Sequence, residues 1–103
     1  MLNLNYYDLT KKVYNMMKDK HLGTNAIKDV IAEMNSQDIK WGADRDLSPF
    51  IWASILGEEV GEFNQAILHD YYGGKFAGTS RDELVQIAAV ALQIIEYYDR
   101  QKL

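Results

Sequence analysis

Glu58, Glu59 and Glu62 stand within about one helical turn of each other, and a fourth carboxylate, Glu83, follows further along the chain. On a helix the pairs 58/62 and 59/62 are i,i+4 and i,i+3 neighbours, so these groups repel unless a cation lies between them. Glu59 is the most unusual of them. Trp52, Ile55, Phe63 and Ala66 lie at i−7, i−4, i+4 and i+7 from it and share its helical face. An unpaired charge buried in an apolar stripe costs several kcal/mol or more. Either Glu59 is not buried, or something cationic sits against it. If the four carboxylates converge, their donors are hard oxygens suited to Mg²⁺, with Mn²⁺ as a substitute. The chain has no cysteine and only two histidines, which argues against zinc, and no Glu-x-x-His motif of the di-iron helical bundles is present. The alternative is a solvated acidic face, with Glu83 explained by helix capping.

Four elements are expected to carry these groups. An N-terminal helix spans about Leu4 to His21, with Tyr7, Leu9, Val13, Tyr14, Met16 and Met17 as core or interface residues, Gly23 after its end, and Thr24 as the next N-cap. A second covers about Asn25 to Lys40, where Ile27, Val30, Ile31 and Met34 fall at i, i+3, i+4 and i+7, and Gly42 stops it. Ser48 and Pro49 read as the N-cap and first residue of a third helix reaching about His69 or Asp70. After a glycine-rich loop, Ser80 to Glu83 reads as a capping box opening a fourth helix that runs to about Arg100. No hairpin signal or β-branched alternation interrupts this pattern, so the fold class is all-α. Helices three and four are expected to be antiparallel neighbours. That pairing alone would put Glu83 near the far end of helix three, so its meeting with Glu59 needs a particular crossing or a loop folded back.

The chain has 103 residues, 48% hydrophobic and 25% charged, a size for a single domain over 1–103. Its net charge of −4 argues against a broad contact with nucleic acid or an anionic membrane. No apolar run approaches the roughly 20 residues of a membrane span, and the N-terminus shows no signal-peptide pattern; the expected location is cytoplasmic. From Leu84 to Ile95 the fourth helix has no charged residue and is apolar almost all round, broken by Gln86 and Gln93. A helix apolar on more than one face is buried on more than one face, which in so small a chain points to a second subunit.

The segments WASILGEEVGEFNQAIL and RDELVQIAAVALQIIEYYDR resemble the MazG-like nucleotide pyrophosphohydrolases of the all-α NTP pyrophosphatase superfamily, especially the small proteins of bacteria and their phages. The resemblance covers about Lys40 to Arg100 and leaves residues 1–22 outside. The family pattern is Glu-x-x-Glu, a spacer, then Glu-x-x-Asp. Glu59-Val-Gly-Glu62 matches the first half, and Glu83-Leu-Val-Gln86 matches the second in part, with Gln86 where the family has Asp. Glu96 to Asp99 is a literal Glu-x-x-Asp, but it lies too far along and at a helix end.

The resemblance implies a four-helix MazG-like bundle completed by oligomerisation, as a homodimer or homotetramer. It implies Mg²⁺ held by Glu59, Glu62, Glu83 and Gln86, and hydrolysis of a nucleoside triphosphate to the monophosphate and pyrophosphate. Glu58 and Glu59 are the catalytic candidates, and Glu58 could also supply the charge missing at Gln86. Gln93 stands where the family often has an Asn in the site. Trp41 is either a platform for a nucleobase or a packing residue, and Lys75 either reaches a phosphate or is a solvated loop lysine. Lys40 and Arg45 are weaker phosphate candidates. Trp52 is expected in the core. Loss of the Asp charge at position 86 leaves an alternative: a catalytically inactive helical oligomer that binds nucleotide or a protein partner.

Overall fold

The computed structural model describes residues 6–101. Those residues form four α-helices: α1 (Tyr6–Lys18), α2 (Asn25–Trp41), α3 (Pro49–Tyr72) and α4 (Ser80–Arg100). Among the described residues there is no strand, so the all-α expectation holds. No helix is long and apolar enough to cross a membrane.

The caps explain most boundaries. Thr24 Oγ1 accepts from Ile27 N at 3.3 Å, and Ser48 Oγ accepts from Ile51 N at 3.3 Å, each satisfying an amide that the first turn of its helix leaves free. Pro49 occupies the first helical position, where it has no N–H to lose. Gly42 ends α2 with φ 96°, a conformation that a side chain disfavours, and its N–H bonds Asp38 O at 2.9 Å. Two expectations need correction. Gly23 does not close α1, which ends at Lys18; residues 19–24 form turns, and Gly23 is not among the positive-φ glycines. The capping box at Ser80–Glu83 does not form. Ser80 is already helical, and Thr79 at the N-cap makes no side-chain cap bond. Asp70, near the end of α3, engages Ser80 instead: its carboxylate accepts from the Ser80 hydroxyl and from Gly78 N, the latter at 2.6 Å.

α4 is the element that the fold is built on. α3 packs along it antiparallel, with Trp52 against Tyr97 at one end and Glu62 near Glu83 at the other. α2 packs along it in parallel: Asp29 pairs with Arg81 at 2.8 Å, and Asp38 with Gln93 further on. α2 and α3 do not pack against each other. Val30, Trp52, Ala66, Ala89 and Val90 form the buried apolar core. Ala66 and Ala89, with no exposed surface, allow close approach of α3 and α4.

α1 stands apart. Among the described residues it packs against no other helix, and Tyr6, Leu9, Val13, Tyr14 and Met16 are all exposed. They are therefore not core of this chain. The radius of gyration is 19.1 Å, against about 13 Å for a compact domain of this length.

Among the described residues, Trp52 is the one large side chain fully buried. Trp52→Ala is expected to cost about 3–5 kcal/mol of unfolding free energy, measured by urea denaturation followed by circular dichroism.

Candidate metal and nucleotide site

The gap between α2 and α3, floored by α4, is a cleft of about 420 Å³. α3 supplies Ile55, Glu58, Glu59 and Glu62, and α4 supplies Gln86 and Val90. α2 supplies Glu33, Ser36, Gln37, Lys40 and Trp41, and Arg45 comes from the loop that follows. Glu83 approaches the same carboxylates from the other side, where it lines a smaller cavity with Glu62, Gln65 and Phe76.

Glu59, Glu62 and Glu83 converge, each offering an oxygen within 4.8 Å of the others. The folded-back loop makes this possible. Phe76 stacks on His69, with ring centroids 5.6 Å apart, and its N–H donates to His69 Nδ1 at 3.1 Å. Gly74, at φ 150°, passes so close to that ring that a Cβ there would lie 2.5 Å from it. With Asp70 holding Gly78 and Ser80, the chain doubles back along α3 and starts α4 beside it. Glu83 therefore faces Glu62 within the first turn of α4.

Glu59 lies half-buried among the apolar neighbours expected from its spacing, with Trp52 and Ala66 fully buried on either side. Its Oε2 and that of Glu83 are buried without a hydrogen-bond partner. Burial pushes the Glu59 carboxyl up to about 7, helped by the charges of Glu62, Glu83, Glu58 and Glu33. Glu83 is raised as well, first by burial, then by the charge of Glu62 and by a hydrogen bond to it that only a protonated partner can make. Three hard-oxygen donors, two of them with a buried and unpartnered oxygen, fit a divalent cation.

The remaining candidates divide. Glu58, Gln86 and Trp41 line the cleft. Trp41 is 61% exposed, so it is not a packing residue, and Lys40 Nζ lies 5.1 Å from its ring centroid. Gln93 does not line the cleft. It is buried, accepting from Arg45 at 3.2 Å and donating to Asp38 at 3.4 Å. It holds Arg45, whose guanidinium also lies 5.1 Å from the Trp52 ring centroid. Lys75 is likewise outside the cleft, with its ammonium 4.9 Å from the Phe76 ring centroid. Glu33 was not anticipated. It sits between Val30 and Gln37, both buried, and accepts from Gln37 at 3.0 Å. A carboxylate at i+3 from one inward residue and i−4 from another is the same signal that marks Glu59.

No family model, curated protein or solved structure matches the chain.

The raised carboxyls give a sign to the pH dependence. Because Glu59 holds its proton more tightly folded than unfolded, its contribution to stability is fully present below 4.5 and is lost as pH rises through about 7. Asp70 is shifted the other way, below 3.8, by its bonds to Gly78 and Ser80, so its contribution disappears only in stronger acid. Without divalent cations the melting temperature is expected to be higher at pH 5 than at pH 8. Glu59→Gln should remove much of that difference and raise the melting temperature at pH 8; a thermal scan of both proteins at the two pH values checks it.

Proposed function

We propose that this protein is a Mg²⁺-dependent nucleoside triphosphate pyrophosphohydrolase of MazG-like architecture, working as a homo-oligomer. The observation that carries the reading is the convergence of Glu59, Glu62 and Glu83 beside a cleft whose other lining includes Lys40, Arg45 and the exposed ring of Trp41. The group needed is a cation at one end and a polyanion with a planar base at the other, which is the chemistry of a metal-bound nucleotide.

Glu59, Glu62 and Glu83 would hold the ion, and the Gln86 amide oxygen is a neutral fourth donor. When bound, Mg²⁺ offsets the charge of the phosphate oxygens and lowers the pKa of coordinated water. Lys40 and Arg45 add positive charge where the phosphates extend, and Gln93 and the Trp52 ring keep Arg45 oriented. Trp41 offers a stacking face to the base. Glu58, open to the cleft and beside the ligands, accepts the proton of the attacking water. Water adds across the bond between the α and β phosphates, giving the monophosphate and pyrophosphate. Positioning and charge stabilisation supply most of the acceleration.

The second reading, a nucleotide binder that does not hydrolyse, is favoured by one feature: Gln86 lines the cleft without the charge that an Asp would bring. One assay separates the two. A panel of nucleoside triphosphates with Mg²⁺ or Mn²⁺, with pyrophosphate and phosphate measured separately, is expected to yield pyrophosphate, lost on chelation. Glu59→Ala should lower turnover on the order of a hundredfold or more, since even indirect partners of a metal cost 10- to 100-fold in affinity or activity. Stabilisation by Mg²⁺ with no turnover would select the binder; neither effect would remove the metal site altogether.

The same carboxylates make metal binding compete with protons. The rise in melting temperature with Mg²⁺ is expected to be larger at pH 8 than at pH 6, because near pH 6 the ion must displace the Glu59 proton.

A further inference from the structure

The surface opposite the cleft raises a separate question. The chain exposes 8146 Å², whereas a folded monomer of its mass exposes roughly 5,900 Å². The excess, roughly 2,200 Å² per chain or about 4,400 Å² for a pair, is of the size that obligate subunit interfaces bury in total. Two parts of it match. One is α1, where Tyr6, Leu9, Val13 and Met16 share one face and Lys11 and Lys12 lie off it. The other is a groove of about 460 Å³ between α2 and α4, with Ile31, Met34, Leu92 and Ile95 along it and Asp38, Asp44 and Glu96 as its only charged lining. An apolar helical face with Lys12 at its edge suits an apolar groove edged by Asp38, Asp44 and Glu96, in both shape and charge. In its own chain, α1 packs against no helix.

We propose that the protein forms a two-fold dimer in which α1 of each copy lies in the α2–α4 groove of the other. This rests on the homo-oligomeric part of the function above and names its interface. The groove lies roughly 150° around α4 from Gln86 and Val90, so occupation by α1 leaves the carboxylate cleft open.

The test uses full-length chains and light scattering. Wild type is expected at twice 11.8 kDa. Val13→Asp and Ile95→Asp alter residues each 54% exposed in the single chain, so each variant should keep its helical circular dichroism and run as a monomer. An equimolar mixture of the two should recover dimer. One of its two contacts pairs both altered surfaces, while the other pairs an unaltered α1 with an unaltered groove. Pairing of α1 with α1 would leave Ile95→Asp dimeric by itself, and pairing of groove with groove would leave Val13→Asp dimeric, so neither yields two monomeric variants that rescue each other. Leu9→Asp and Ile31→Asp serve as a second pair if either variant loses helix. A monomeric wild type overturns the dimer and with it the oligomeric part of the proposed function. A dimer that survives either substitution, or a mixture that stays monomeric, overturns the exchange alone, and turnover is read independently.

Discussion

Mutual repulsion among the carboxylates at the α3–α4 seam is the constraint that the rest of the structure has to accommodate. Glu59, Glu62 and Glu83 offer oxygens within 4.8 Å of one another beside a partly apolar wall. Three ionised groups so close are unfavourable, and their proton affinities rise accordingly. Nothing about α-helical packing requires this arrangement. A salt-bridging lysine at any of several surrounding positions would relieve it. Instead, the cleft's cations, Lys40 and Arg45, enter from the C-terminal end of α2 and the loop beyond, about two helical turns along α2 from Glu33. The separation leaves room between the two charge signs, as a ligand carrying both a cation and an anion needs.

The means of holding that arrangement are distributed through the fold. α4 packs against both α2 and α3, and these two do not touch, so the cleft is the space left by two helices sharing one partner. Its acidic side depends on the folded-back loop, fixed by Phe76 on His69 and by Asp70 holding Gly78 and Ser80. Its basic side depends on the connection between α2 and α3. Arg100, at the end of α4, donates to Arg45 O at 3.1 Å and pairs with Asp44 and Asp46 at 3.5 Å. Exposed pairs of that length contribute little stability, so their effect is better understood as fixing where the loop runs. Asp44 adopts a φ of 52° there, an Asp-tolerated left-handed turn.

The sequence is legible where the governing interaction is local. Thr24, Ser48, Pro49 and Gly42 mark their helix ends because a cap involves residues three or four apart. The apolar neighbours of Glu59 were readable from a 100° repeat, and so was Trp52 as core. What failed is non-local. Ser80 has the spacing of a capping box with Glu83, but Asp70, ten residues earlier, competes for its hydroxyl. Gln93 shares a helical face with Gln86, yet Arg45 and Asp38 hold its amide away from the cleft. Convergence of Glu83 with Glu59 was open for the same reason: a seven-residue loop, 73–79, decides it, and its course depends on a ring stack with α3.

Apolar and polar residues are segregated to different sides of α2 and α4. Glu33, Ser36, Gln37 and Lys40 face the cleft, whereas Ile31, Met34, Asn35 and Asp38 face the groove on the opposite side of the same helix. Both helices are therefore two-sided, with a polar concavity on one side and an apolar one on the other. A chain whose buried apolar core is essentially Val30, Trp52, Ala66, Ala89 and Val90 has little stability to spare for a strained acidic cluster. Burying the apolar side against another surface would add hydrophobic stabilisation without desolvating the carboxylates any further. Separating the two faces lets association strengthen the scaffold while the acidic cleft keeps its access to water, ions and phosphates.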